Sequence, residues 1–394
     1  MAGRLLRSFG TAALAAVVVA SPAAAVAAPS PGPSDPAAPA AGPEAAPEAA
    51  PGTVAGLLTR LQGLYQQAEE ATETYNGTAA ELKKRTAQAK KLDASLVAAR
   101  LSLARSHDAA GRLAREQYQG RSDFSAYLQL LLIRDPEHAL DQGQVIQRLA
   151  AGRAATVKRL TGAEKRADEL AKESRKVLDR QQVLAARQKK ERDAVRTKLR
   201  DVETLLATLS ADRLAEVSRL EQEGTDQAQK ALVASGALSS ARPATAEGGE
   251  AVRYAIEQIG KPYVWGAEGP DSFDCSGLTS QAWASAGRTI PRTSQEQWRQ
   301  LRKVELSALR PGDLVIYFPK ATHVALYIGN GLVVQAPRPG ARVKVSPLAA
   351  NPLLGAVRPD PESTPLTTYT PPELPEGASE GADEGYGESS VPDA

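Results

Sequence analysis

The sequence predicts two unlike parts, a long antiparallel helical hairpin followed by a compact α+β domain. Apolar and small residues recur at alternating steps of three and four over residues 57–113, and a second such seam covers residues 160–209. A seam held this long is typical of a coiled-coil helix. All three tryptophans then lie between Trp265 and Trp298, among aromatic, β-branched, Gly and Pro residues. That composition indicates short strands and turns.

The first 27 residues have the order of a secretory signal peptide. A basic head with Arg4 and Arg7 precedes a short apolar run and a small-residue exit that ends at Ala25 or Ala27. The run is well short of the ~20 residues of a membrane span. We therefore expect a secreted, cell-wall-associated protein, with an uncleaved N-terminal anchor as the alternative. Residues 28–52 are rich in Pro and Ala and predict a disordered tether.

Residues 53–234 are predicted to form the coiled-coil helical hairpin. Its turn contains an apolar patch at 127–133, and Pro136 interrupts helix there, so we expect one or two short helices. The patch would bury its own side chains at the hairpin tip, contact a partner, or do both. His107 and His138 have polar neighbours and are predicted to be solvated surface residues.

The remaining boundaries follow from composition. Residues 235–246 are small and polar and predict a flexible linker, 247–359 form the compact domain, and 360–394 form an acidic tail expected to be disordered. The net charge of +2 gives no indication of a nucleic-acid partner. The sequence contains no metal-ligand cluster, phosphate loop or nucleotide fingerprint, so we expect no cofactor and no metal.

The only cysteine, Cys275, is unusual for an exported chain, in which cysteines normally pair as disulfides. It could be an intermolecular bridge, a buried small hydrophobe or a reactive thiol. DCSGLTSQAWASAG predicts a helix capped by Asp274 or Ser272 and stopped by Gly287. In the first helical turn, free backbone N–H groups and the helix dipole favour an anion. We therefore expect a lowered thiol pKa and an oxyanion site at these N–H groups.

A nucleophilic thiol needs a base, and His323 is the only histidine of the compact domain. It begins the predicted strand HVALYIG, where the alternative is a purely structural histidine. As the sole partner available to the sole thiol, it is predicted to be the base. The next strand, GLVVQAP, places Gln335 beside it, and the amide oxygen could accept the ring N–H. Alternatively, Gln335 only satisfies a strand edge.

The motifs YVWG, FDCSGLTSQAW, RPGDLV and HVALYIGNG, in this order, resemble the NlpC/P60 family of cell-wall cysteine endopeptidases over residues 247–359. The resemblance implies a papain-like fold, in which a helix bearing the cysteine packs on an antiparallel sheet bearing the histidine. It also implies roles for six residues: nucleophile Cys275, base His323, third polar residue Gln335, a tyrosine near the oxyanion site, Tyr263, and the pocket-lining Asp274 and Ser276. Histidine is commoner than glutamine at the third position.

The resemblance implies hydrolysis of peptidoglycan stem peptides between D-γ-glutamate and the following diamino acid, in wall remodelling or cell separation. In similar hydrolases the coiled coil is a regulatory arm recruited by a membrane complex that resembles an ABC transporter. Two alternatives stay open: an N-acetylmuramoyl-L-alanine amidase or acyltransferase on the same thiol scaffold, and a non-enzymatic coiled-coil scaffold. The architecture would also let the hairpin cover the catalytic cleft until a partner binds at 127–133.

Overall fold

The computed structural model describes residues 53–119, 136–238 and 242–379. The predicted signal peptide, the tether, the apolar patch at 127–133 and residues 380–394 of the acidic tail lie outside this described part. Within it, no helix is both long enough and apolar enough to cross a membrane.

Three helices, which we call the arm, precede the domain: α1 (Val54–Tyr118), α2 (Pro136–Ala207) and α3 (Ala211–Ala234). The Thr53 side chain caps α1 by accepting the N–H of Gly56 at 3.1 Å. Pro136, expected to interrupt helix, is the first residue of α2, where the missing proline N–H would have no helical partner. α1 and α2 are antiparallel, since Gln67 contacts Lys198 while Thr86 contacts Gln181.

The structure separates α3 from α2, a break that the apolar pattern does not indicate. α2 ends at Ala207, and Ser210 caps the new helix by accepting the N–H of Arg213. Side chains from all three helices then pack in one buried cluster at the base of the arm: Leu61, Tyr65, Val202, Leu205, Leu206 and Val217. This cluster joins α1 to α3.

The domain contains helices α4 (Ala246–Glu257), α5 (Cys275–Ser285) and α6 (Ser294–Gln300), a short 3-10 helix (Leu306–Ala308) and one antiparallel sheet. The sheet has the strand order β1-β6-β2-β3-β4-β5. Its strands are β1 (Arg302–Val304), β2 (Leu314–Tyr317), β3 (His323–Gly329), β4 (Leu332–Gln335), β5 (Lys344–Pro347) and β6 (Leu353–Arg358). A cysteine-bearing helix on a sheet that bears the histidine agrees with the predicted fold class.

The strand β3 lies inside the sheet, and apolar residues cover both of its faces. Leu326 belongs to the larger core, which includes Trp283 of α5, while Ala325 belongs to a second cluster on the opposite face. The indole of Trp283 donates to the Gly312 carbonyl at 3.1 Å. Close packing on both sides fixes β3 and α5 relative to each other, and these are the elements that bear the predicted histidine and cysteine.

The structure differs from the expectation of a disordered tail that starts at residue 360. Residues 360–379 are described, and the N–H of Leu366 donates to the Ala244 carbonyl at 2.8 Å. Asp360 is buried in an ion pair with Arg310 at 3.0 Å. Pro and Gly content suggests disorder, but it does not reveal pairing with a distant segment of backbone.

Candidate active site

Cys275 is the first residue of α5 and is buried. The Asp274 carboxylate caps the helix by accepting the N–H of Gly277 at 2.6 Å. A Cβ at Gly277 would lie 2.1 Å from the carbonyl oxygen of Ala267, so only glycine lets the preceding loop approach this closely. The short motif DCSG therefore places the thiol at a helix N-terminus, as the sequence predicts.

Asp274, predicted to line the substrate pocket, is fully buried and surrounded by donors. It accepts the N–H of Gly266 at 2.9 Å and two bonds from the Arg292 guanidinium, at 2.7 and 3.1 Å. Arg292 also donates to the hydroxyl of Ser276 at 2.7 Å. Asp274 thus holds the loop and the arginine around the thiol, while Ser276 remains beside it.

His323 and Gln335 are brought together as predicted. The ring Nε2 of His323 lies 2.7 Å from the amide oxygen of Gln335, and the amide nitrogen donates to Ser346 at 2.8 Å. Because the amide oxygen can only accept, Nε2 carries the proton and Nδ1 is the nitrogen left to act as a base. Gln335 orients the imidazole without adding charge.

The thiol lies at the start of β3. The backbone N–H of Val324, the residue after His323, donates to the sulfur of Cys275. Tyr263 is buried nearby: burial raises its pKa well above the ordinary value, and the negative charges of Cys275 and Asp274 add to the effect. The structure therefore gathers all six predicted site residues in one region of the domain.

The arm also enters this site, through Glu73 of α1. One carboxylate oxygen of Glu73 accepts from the Ser276 hydroxyl at 2.6 Å and lies 3.7 Å from the sulfur of Cys275. The other oxygen accepts the backbone N–H of Ser294 at 2.7 Å. Glu73 is only 1% exposed, so its side chain lies inside the domain surface.

Two further α1 residues, each within about one helical turn of Glu73, contact the same site. Glu69 lies 3.2 Å from Nδ1 of His323, the nitrogen that would act as the base. The amide of Asn76 donates to Asp274 at 2.9 Å. Beside them, the Tyr75 ring packs edge-on against Trp265 with 4.9 Å between the ring centroids. Helix α1 thus lies directly across the cysteine and the histidine.

These contacts change the electrostatics of the site. Burial, reinforced by the nearby Asp274 carboxylate, raises the pKa of Glu73 to about 7, against the opposing effects of Ser276 and Arg292. Burial lowers the pKa of His323, but Glu69 and the hydrogen bond from Gln335 outweigh it, so the net pKa is raised. The carboxylate of Glu69 favours the charged imidazolium.

The expected lowering of the Cys275 pKa is wrong for this arrangement. Burial raises the thiol pKa well above its ordinary value, and the carboxylates of Glu73, Asp274 and Glu69 raise it further. The helix N-terminus favours a thiolate, but a desolvated site with three nearby carboxylates opposes it more strongly. In this closed form the thiol is protonated.

Sequence reasoning missed Glu69, Glu73 and Asn76 of the arm, and Arg292 and Ser294 of the domain. On a coiled coil, glutamates are ordinary solvated residues, so AEEATETYN carries no distinct signal. Arg292 and Ser294 lie in PRTSQEQ, directly before and at the start of α6, where a buried cap region was a weak indication. Within the described ranges, no group of three or more His, Cys, Asp and Glu residues could hold a metal ion.

Comparison with known proteins agrees with this geometry. The model of the NlpC/P60 family matches residues 260–354. A probable endopeptidase of Corynebacterium glutamicum strain R is 41% identical over 143 residues, which are 36% of this chain and 68% of that protein. The peptidoglycan endopeptidase RipA of Mycolicibacterium smegmatis is 42% identical over 119 residues, 26% of this chain and 24% of that protein.

A crystal structure of an NlpC/P60 family protein from Bacillus cereus aligns with a TM-score of 0.28 and 32% identity, covering 30% of this chain and 41% of that chain. The chain thus spans about two thirds of the corynebacterial relative and about a quarter of RipA. The matched part contains Cys275 and His323. On the family model and the corynebacterial relative together, this chain belongs to the NlpC/P60 family.

Proposed function

We propose that the protein is a peptidoglycan hydrolase, a cysteine endopeptidase that cleaves stem peptides between D-γ-glutamate and the diamino acid. The observation that carries the proposal is the pairing of Cys275, at the N-terminus of α5, with His323, whose ring Gln335 orients. The names of the corynebacterial and mycobacterial relatives support an endopeptidase. The stem-peptide bond itself rests on the family resemblance.

The chemistry follows from the geometry once α1 leaves the site. Without Glu69, Nδ1 of His323 can take the proton of the Cys275 thiol, and the sulfur attacks the γ-glutamyl carbonyl. Backbone N–H groups at the start of α5 can stabilise the oxyanion. Collapse of the tetrahedral intermediate breaks the C–N bond, and the imidazolium protonates the leaving amine. Water, deprotonated by His323, then hydrolyses the thioester and regenerates the thiol.

The location is also a proposal. Export rests on residues 1–27, and association with the cell wall rests on the proposed substrate. A membrane regulatory complex that binds the coiled coil is a further proposal, whose expected contact at 127–133 lies outside the described residues.

The test is a digest of purified cell wall followed by mass spectrometry of the released fragments. It uses the full chain and a Glu69→Ala/Glu73→Ala chain, which frees the site of the arm carboxylates, each with and without Cys275→Ala. We expect fragments cut after D-γ-glutamate, lost completely with Cys275→Ala and retained in Ser285→Ala, a matched control at the far end of α5. Release of whole stems from glycan would indicate an amidase instead. No release from any chain would leave the scaffold alternative.

A further inference from the structure

We propose that the arm is a built-in inhibitor of Cys275, and that a clasp remote from the active site holds it closed. The clasp consists of Tyr65, Glu221 and Gln229 of the arm and Arg338 of the domain. The physiological meaning of this inhibition rests on the proposed hydrolase function, but closure of the thiol can be tested without a substrate.

The first step is occlusion of both reacting groups by one helix face. Glu73 contacts the sulfur of Cys275, and Glu69, one turn earlier, contacts Nδ1 of His323. Cys275 is 2% exposed, and His323 is fully buried. A substrate carbonyl must approach the sulfur, so α1 has to move away before any reaction.

The second step is suppression of the thiolate. The carboxylates of Glu69 and Glu73 raise the pKa of Cys275, and Glu69 takes the nitrogen that would accept the thiol proton. The arm therefore blocks access to the nucleophile and also keeps it in its unreactive neutral form. Removal of α1 reverses both effects at once.

The third step is the clasp, which lies on other parts of the domain. Arg338, in the loop after β4, forms two hydrogen bonds with the Glu221 carboxylate, at 2.8 and 3.2 Å. Its guanidinium also lies over the Tyr65 ring, 4.8 Å from the centroid. Gln229 donates to the Gly331 carbonyl and accepts the N–H of Ala349, both at 3.0 Å.

The clasp controls the site because α1 and α3 are joined. The buried cluster at the base of the arm packs Tyr65 of α1 with Val217 of α3, so fixing α3 on the domain also fixes α1. The face of α1 over the site is polar and includes the buried Glu73. Interfaces of this kind between parts of a chain are weaker than a core, so closure is reversible.

Alkylation of Cys275 measures closure directly, because it is the only cysteine of the chain. The rate of iodoacetamide labelling of the folded full chain, followed by mass spectrometry, is proportional to the open fraction. We expect Glu221→Ala/Gln229→Ala to label at least about tenfold faster than the natural chain, since a tenfold change in open fraction needs only about 1.4 kcal/mol. Both changes lie in the arm and leave the domain intact.

Glu223→Ala is the matched control. Glu223 lies one position beyond Gln222 on the same helix and pairs only within that helix, with Arg219, among its recorded ion pairs. We expect its labelling rate to stay within about twofold of the natural chain. A natural chain that labels as fast as the urea-unfolded chain, or a folded clasp variant that labels no faster than the natural chain, would overturn the proposal.

A charge swap separates the clasp from general loosening of the arm. Glu221→Arg places two cations together and should label faster, whereas Glu221→Arg/Arg338→Glu restores opposite charges and should label more slowly than the single variant. Equal rates for single and double variants would contradict a role for this pair. Fast labelling without stem-peptide release would contradict the proposed function and leave the inhibitory arm standing.

Discussion

The arm and the domain hold their structures by different means. In the domain, strand β2 is fully buried, and Leu314 and Leu326 pair across β2 and β3 with no exposed surface. In the arm, Leu101 and Val183 are more than half exposed, and tight packing is concentrated at the base. The domain thus has the rigidity that catalytic geometry requires, while most of the arm can move without loss of a core.

The active site takes side chains from both parts. Cys275 and His323 are held by elements inside the domain core, whereas Glu69 and Glu73 are held by the face of a single helix. This difference suggests that the catalytic pair is permanent and the inhibitory pair is conditional. The following predictions test that distinction, from the largest expected effect to the smallest.

Loss of the base should have the largest effect. In the Glu69→Ala/Glu73→Ala chain, we expect His323→Ala to lower kcat/KM for stem-peptide cleavage by about 10²–10⁴-fold, because the thiol then lacks its proton acceptor. Gln335→Ala should lower kcat by less and leave KM nearly unchanged, since it only orients the ring, and Gln335→Asn should recover part of the loss. A Gln335→Ala chain weaker than the His323→Ala chain would contradict these roles.

The second prediction concerns stability. Leu326→Ala, at the centre of the sheet, should lower the free energy of unfolding by about 2–5 kcal/mol because it leaves a cavity. Leu101→Ala, on the exposed arm, should change it by less than about 0.5 kcal/mol. Urea unfolding followed by tryptophan fluorescence reports on the domain, since all three tryptophans lie there. Similar losses from both variants would remove the contrast between the two parts.

Closure should weaken as pH rises. In the closed form the pKa of Glu73 is raised from 4.5 to about 7, and on a released, solvated helix it returns to its ordinary value. Closing therefore takes up a proton between pH 4.5 and 7, and the open fraction should grow with pH in this window, by at most about tenfold per pH unit. His323 contributes with the same sign, because its raised pKa stabilises the closed form only at lower pH.

Hydrogen exchange of the α1 segment around Glu69 and Glu73 measures this opening, after correction for the intrinsic pH dependence of exchange. Cys275→Ser removes the titration of the thiol, and Glu73→Gln, which has no titrating carboxylate, is the control expected to show a shallower dependence. Weaker protection at pH 5 than at pH 7 would show that the sign is wrong.

The smallest effect is expected at the edge of the interface. Lys320 pairs with Glu70 of the arm at 2.9 Å, but its side chain is 67% exposed. Because exposed pairs contribute about 0–1 kcal/mol, Lys320→Ala should change the labelling rate of Cys275 by less than about fivefold. A change as large as that of the clasp variant would show that this exposed pair also holds the arm.

The parts that could be predicted are those with a local signature. The first turn of α5 follows from Asp274 and Gly287, and the pairing of His323 with Gln335 follows from two adjacent strands. The contact between Glu73 and Cys275 joins residues 202 positions apart, and no local pattern specifies it. The thiol pKa was wrong for the same reason, because it depends on charges supplied by the distant arm.

The pH profile of Cys275 alkylation, compared between the natural full chain and the Glu69→Ala/Glu73→Ala chain, tests most directly whether a competent thiol is held inactive by the arm. The account predicts slow labelling of the natural chain that rises only at alkaline pH. The variant should label faster at every pH and already react at neutral pH, because the nucleophile is exposed and paired with His323. Two superimposable profiles would contradict the account.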